Sequence, residues 1–234
     1  MGIHFKDGSP AARLENRGRV GQNEYIDESL RSFLLKLGGR TPEPAGGAAL
    51  ALAGASAAAL LSLACHSKTR GQDGVSGEDD LLLTTQRRAE RLSDEMQMLI
   101  DADVAAYREV TQALRLPRDT DEQRRSREER LDAALRHAAE VPLQLAEAAL
   151  EILASAADVV DLVRGPVLGD LAAAVHLAEA TVKGSLRNAH INCSAMSDDR
   201  CARAVEERIS RLRGRFEQSA RALWSALVKQ GLPG

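Results

Sequence analysis

Aromatic residues are scarce in this sequence. Of 234 residues only three are Phe, two Tyr and one Trp. A core without large rings has to be filled by Ala, Leu and Val, and closely packed helices do that best. Alternation of apolar and polar residues over a strand's length is absent as well, so no sheet is expected. Cysteine is limited to Cys65, Cys193 and Cys201, an odd number with no C-x-x-C spacing. That argues against a disulfide framework or a structural zinc site and fits a reducing cytoplasm. Positive charge is not in excess either. Lys and Arg total 31 against 34 Asp and Glu, a net charge of −3, so no basic field is available to hold nucleic-acid phosphates. The segment from Met1 to Arg19 lacks the apolar run of a signal peptide. No nucleophile elbow, Walker loop or dinucleotide fingerprint occurs. The histidines His4, His66, His137, His176 and His190 show no H-x-x-x-H spacing, and no metal site is expected.

What is present is helix. Residues 1–24 are polar and without periodicity and read as a mobile arm. Residues 25–234 read as one all-α domain, a bundle of long antiparallel helices. Ile26, Leu30, Phe33, Leu34 and Leu37 recur at helical spacing, and Gly38-Gly39 ends that helix. A rigid loop, Thr41 to Gly47, leads into an Ala-rich helix over 47–68. From Ala45 to Ser67 there is no Asp, Glu, Lys or Arg, a length that could span a bilayer. Its Ala, Gly and Ser gain little from lipid, so burial among other helices is the expectation. A long helix over 78–114 follows, closed by Pro117. The next starts at Thr120 as N-cap, with alternating charges on its solvated first half and a kink or restart at Pro142. Gly165-Pro166 breaks the chain. Helices over 168–191 and 198–229 complete the bundle.

On the long helix, Leu92, Met96, Leu99, Tyr107, Val110 and Leu114 fall on one stripe with Asp103 in its middle, while Asp101 falls on the opposite, polar face. A carboxylate on a buried face needs a cation, strong hydrogen bonds or a raised pKa, so Asp103 is either a buried structural group or a catalytic one. Along the 168–191 helix, Leu171, Val175, Ala178, Val182, Leu186 and Ala189 form an apolar stripe. Its flank carries Asp170, Thr181, Ser185, Asn188 and Asn192, an edge suited to interhelical hydrogen bonds or to a polar cleft. Pro44, Gly46 and Gly47 place backbone N–H groups at a helix start, where an anion or carbonyl binds. Lys68, Arg70 and Arg118 are candidate contacts for substrate carboxylates, and His66 is the one histidine placed to act as acid or base.

Five segments resemble, in order, the formiminotetrahydrofolate cyclodeaminase and methenyltetrahydrofolate cyclohydrolase family. Thr41-Pro-Glu-Pro-Ala-Gly-Gly-Ala-Ala49 is similar to its T-P-x-P-G-G-G-S-A. Leu99-Ile-Asp-Ala-Asp-Val-Ala-Ala-Tyr107 resembles its D-A-D-A-x-A-F/Y segment. Arg115-Leu-Pro-Arg-Asp-Thr-Asp-Glu122, Ala139-Glu-Val-Pro-Leu-Gln-Leu-Ala-Glu147 and Asn188-Ala-His-Ile-Asn192 resemble R-L-P-K-x-T-x-E-E, V-P-L-x-L-A-E and N-V-x-I-N. The resemblance implies an all-α homodimer acting on a tetrahydrofolate derivative, with no metal or redox cofactor. The reaction it implies is hydrolysis of the 5,10-methenyl form or closure of 5-formiminotetrahydrofolate with loss of ammonia. Asp103, Asp170 and His66 are the expected catalytic groups. Pro44, Gly46, Gly47, Lys68, Arg70, Tyr107, Arg118, Ser185, Asn188 and Asn192 are the expected substrate contacts. Ala45 and Ala48 stand where the family has Gly and Ser, and the G-N-x(4)-S-D segment is shortened to Gly165–Asp170. These departures keep two alternatives open: a cyclase or deaminase acting on another formimino or amidine substrate, and a non-catalytic helical binding protein.

Overall fold

Six helices lie among the described residues, 25–66 and 77–231, of a computed structural model. The expected arm over 1–24 lies outside the described residues. The helices are α1 (Leu30–Leu37), α2 (Gly46–His66), α3 (Gly77–Leu114), α4 (Asp121–Val159), α5 (Val167–Cys193) and α6 (Asp199–Lys229). No strand occurs among the described residues.

Local chemistry explains the helix ends. Ser29 caps α1 by accepting the Ser32 N–H. Thr120 and Gln123 form a reciprocal capping box at the start of α4, and Asp198 accepts from the Arg200 and Cys201 N–H groups at the start of α6. Glu78, Asp79 and Asp80 place negative charge at the positive end of α3. Gly165, at φ +68°, makes the left-handed turn between α4 and α5 that a side chain would resist.

Helix α2 packs chiefly between α3 and α5 and touches α4 to a lesser extent. Its small residues let the neighbours approach. A methyl group added at Gly54 would stand 2.4 Å from Met96 Sδ and 3.2 Å from Thr181 Cγ2, and one at Gly184 would stand 2.6 Å from Leu50 Cδ2. These pairings run antiparallel: Gly47 and Gly54 of α2 meet Asp103 and Met96 of α3, while Leu50 and Gly54 meet Gly184 and Thr181 of α5. The apolar stripe of α5, from Leu171 to Ala189, is buried throughout. Among the described residues α2 is the one helix long and apolar enough to cross a membrane, and half of its most apolar window is buried inside the bundle.

Of the kink or restart expected at Pro142, the restart does not occur: α4 continues through the proline as one helix. Proline lacks the N–H that would bond the carbonyl four residues back, here that of Ala138. The Asn192 side chain fills the gap, donating Nδ2 to the Ala138 oxygen at 2.5 Å. Arg208 of α6 ties down the same stretch of α4, gripping Glu147 with two nitrogens at 3.0 and 2.8 Å and Glu140 with a third at 2.7 Å.

Candidate active site

A cleft of about 310 Å³ opens where the start of α2 meets the C-terminal halves of α3 and α5. The lead-in loop supplies Pro42, Glu43, Ala45, Gly46 and Gly47. Helix α3 supplies Asp103, Val104, Ala106, Tyr107 and Val110, α4 supplies Ala138, and α5 supplies Asn188, Ile191 and Asn192. The loop is held over α3 by Arg108, whose Nε donates to Glu43 Oε2 at 2.8 Å.

Asp103 sits at the floor of this cleft, against the first turn of α2. Its carboxylate fills the space a side chain at position 47 would need: a methyl group on Gly47 would stand 1.9 Å from Oδ1. The Ala48 backbone N–H donates to it. That donor is one of the unpaired N–H groups of a helix start, at the positive end of the helix dipole. Burial nevertheless outweighs this bond and pushes the Asp103 carboxyl above its ordinary value, and no cation is among the groups acting on it. A cationic ligand would supply the missing counter-charge.

Of the sequence-predicted residues, Gly46, Gly47, Asp103, Tyr107, Asn188 and Asn192 come together here. Pro44 is buried beneath the loop, and its neighbour Pro42 reaches the cleft instead. Ser185 is fully buried in the core rather than on the cleft wall, its hydroxyl without a partner. Arg118 is exposed on the α3–α4 connection and does not line the cleft. His66 ends α2 and Asp170 begins α5, about 28 Å along their helices from Gly47 and Asn188 respectively. Lys68 and Arg70 lie outside the described residues. Two groups were not anticipated. Pro42 follows from no periodicity. Asp101, expected on an exposed polar face, is half-buried and accepts the Tyr25 N–H at 2.8 Å, anchoring the chain ahead of α1.

The family model for formiminotransferase-cyclodeaminase matches residues 29–211. A methenyltetrahydrofolate cyclohydrolase of Methylorubrum extorquens is 31% identical over 188 residues, 80% of this chain and 88% of its own. A formimidoyltransferase-cyclodeaminase of Mus musculus is 32% identical over 195 residues, 82% of this chain, which spans 35% of that longer protein. The crystal structure of a formiminotetrahydrofolate cyclodeaminase from Thermotoga maritima shares the fold, with a TM-score of 0.76 at 21% identity over 87% of this chain and 97% of that one. The chain belongs to the formiminotransferase-cyclodeaminase family.

Proposed function

We propose that this one-carbon folate enzyme uses the Asp103 cleft to hydrolyse 5,10-methenyltetrahydrofolate, or to form it from 5-formiminotetrahydrofolate with loss of ammonia. The observation that carries the reading is a half-buried carboxylate with no cation acting on it, lining one cleft with two asparagines. The methenyl form carries a positive charge spread over a carbon between two nitrogens. Placed over Asp103, that charge offsets the burial of the carboxylate. In hydrolysis, water adds to the carbon and gives a proton to Asp103. One C–N bond then breaks as its nitrogen takes that proton back, and the added hydroxyl releases its own proton to solvent to leave the formyl carbonyl. In the deamination, the second ring-side nitrogen attacks the formimino carbon, loses its proton to Asp103, and ammonia leaves carrying a proton. A carboxyl with a raised pKa suits both steps, because it holds a proton more readily than an ordinary carboxylate and can return it. Asn188 and Asn192 present amides to the edge of the pterin-like ring, which offers both donors and acceptors. The loss of the family's Ser at Ala48 leaves the main-chain donor of that position in place.

No Lys or Arg lines the cleft among the described residues. The charged tail of the substrate therefore leaves the cleft, toward exposed cations of this end of the bundle such as Arg118 on the α3–α4 connection. The working protein is a cytoplasmic homodimer in this reading, without a bound cofactor. Ala49, Ala53, Ser56, Leu60 and Leu63 form an incompletely covered small-residue stripe along α2, against which the same stripe of a second copy packs. The test is to supply each substrate in turn and follow the methenyl chromophore. Acceleration of its loss or of its appearance supports the assignment. Turnover of a non-folate amidine alone supports the altered-substrate alternative. No turnover, with melting unchanged by millimolar folate, supports a non-catalytic protein.

A further inference from the structure

A second cluster of reactive side chains lies outside the cleft, between α5 and α6. His190 and Cys193 stand three residues apart on α5, so both face the same side of the helix. Glu206 reaches them from α6. The Cys193 thiol donates to Glu206 Oε1 at 3.1 Å, and the His190 Nδ1 contacts the same oxygen. One nitrogen, one sulfur and one carboxylate oxygen thus lie within 4.8 Å of one another.

We infer that His190, Cys193 and Glu206 form a binding site for a zinc-class divalent cation, joining α5 to α6. Three lines of chemistry point there. Thiolate, imidazole and carboxylate are the donor types that zinc accepts in a tetrahedral set. Zinc bonds of about 2.0–2.3 Å put its ligands roughly 3.3–3.7 Å apart, so the trio needs shifts of about 1 Å or less. Without a cation, two donors share one carboxylate oxygen, an arrangement that holds with protons the place a metal would take. Binding is balanced by loss of one proton: the Cys193 thiol gives its proton to solvent and its sulfur bonds the metal, while the neutral His190 ring shifts its proton from Nδ1 to Nε2 so that Nδ1 can ligate.

Three protein ligands leave a fourth position. The His190 and Glu206 side chains are 47% and 42% exposed, so that position opens to solvent. A hollow of about 310 Å³ beside it is lined by Lys183, Arg187 and Arg213 against one acid, Glu217, and this excess of positive charge favours an anionic fourth ligand over water. The inference does not rest on the folate reading, since none of the three residues lines the Asp103 cleft.

Cobalt(II) is the probe. Titrated into the reduced full-length protein, it is expected to bind at one equivalent per chain, with a thiolate-to-cobalt charge-transfer band and the visible bands of a tetrahedral ion. Zinc should displace it and raise Tm. Cys193→Ser should abolish the charge-transfer band, while Cys201→Ser should leave it intact. Because Cys193 is buried, His190→Ala, at an exposed position, serves as a second variant: it should retain the wild-type circular dichroism and lose the tetrahedral bands. No charge-transfer band in the wild type, or one that survives Cys193→Ser or is unchanged in His190→Ala, overturns the site.

Discussion

Gly47 and Asp103 occupy each other's space: a methyl group at position 47 would fall 1.9 Å from Asp103 Oδ1. The glycine is therefore required by its lack of a side chain, since its position within α2 is open to any helical residue. Gly47→Ala favours the helix by roughly 1 kcal/mol and so should fold. It must displace the carboxylate by more than 1 Å, and a shift of that size costs about 100-fold in rate. Circular dichroism unchanged and kcat/KM down by that order is the expected pair of results.

Asp103→Asn separates a catalytic carboxylate from a structural one. Burial holds the Asp103 carboxyl above its ordinary value of 3.8, so the folded protein binds this proton more tightly than the unfolded chain. The cost of the charge is absent below pH 3.8. It grows as pH rises through the window up to the raised pKa and is fully present above it. Asp103→Asn should therefore melt higher than the wild type at neutral pH, with the difference shrinking as pH falls through that window. Thermal melts of both proteins across pH check this. A variant that melts lower at neutral pH would mark Asp103 as a structural anchor.

Pro142 and Asn192 should be energetically coupled through the Ala138 carbonyl. Asn192→Ala leaves that oxygen without its donor, a loss of about 1–3 kcal/mol, at the lower end where water reaches it. Pro142→Ala restores a backbone N–H to the same carbonyl. In the double variant the loss should be smaller than the sum of the single changes. Urea melts of the four proteins measure the coupling, and purely additive values would show that Asn192 does not serve the proline's carbonyl.

Arg108 holds the lead-in loop through Glu43 with both side chains partly exposed, so the pair adds little stability, about 0–1 kcal/mol. Its contribution is to placement. Arg108→Met should leave Tm nearly unchanged and raise KM several-fold with a smaller change in kcat, as steady-state kinetics would show.

Periodicity and punctuation made most of the fold legible. Thr120 and Asp198 cap helices as their side chains demand, and the small residues of α2 are where α3 and α5 approach it closely. Asp103 was legible for a related reason: a charge on an apolar stripe violates the helix pattern. Other parts were not. Ser185 shares a helical flank with Asn188, but a flank does not say how deep each turn lies, and Ser185 is sealed in the core. His66 and Asp170 carry suitable chemistry at the far ends of α2 and α5, which one-dimensional spacing cannot relate to the cleft. The continuity of α4 at Pro142 depends on an amide 50 residues later in the chain. The trio of His190, Cys193 and Glu206 was hidden because its third member comes from another helix.

The most direct measurement follows the methenyltetrahydrofolate chromophore with wild type and Asp103→Asn side by side, at a pH where spontaneous hydrolysis is slow. Wild type should speed the loss of the chromophore well above buffer, and the folded Asp103→Asn variant should lose about 100-fold or more of that rate. A wild type no faster than buffer on this substrate and on the formimino substrate, or a variant that keeps full rate, would contradict the account.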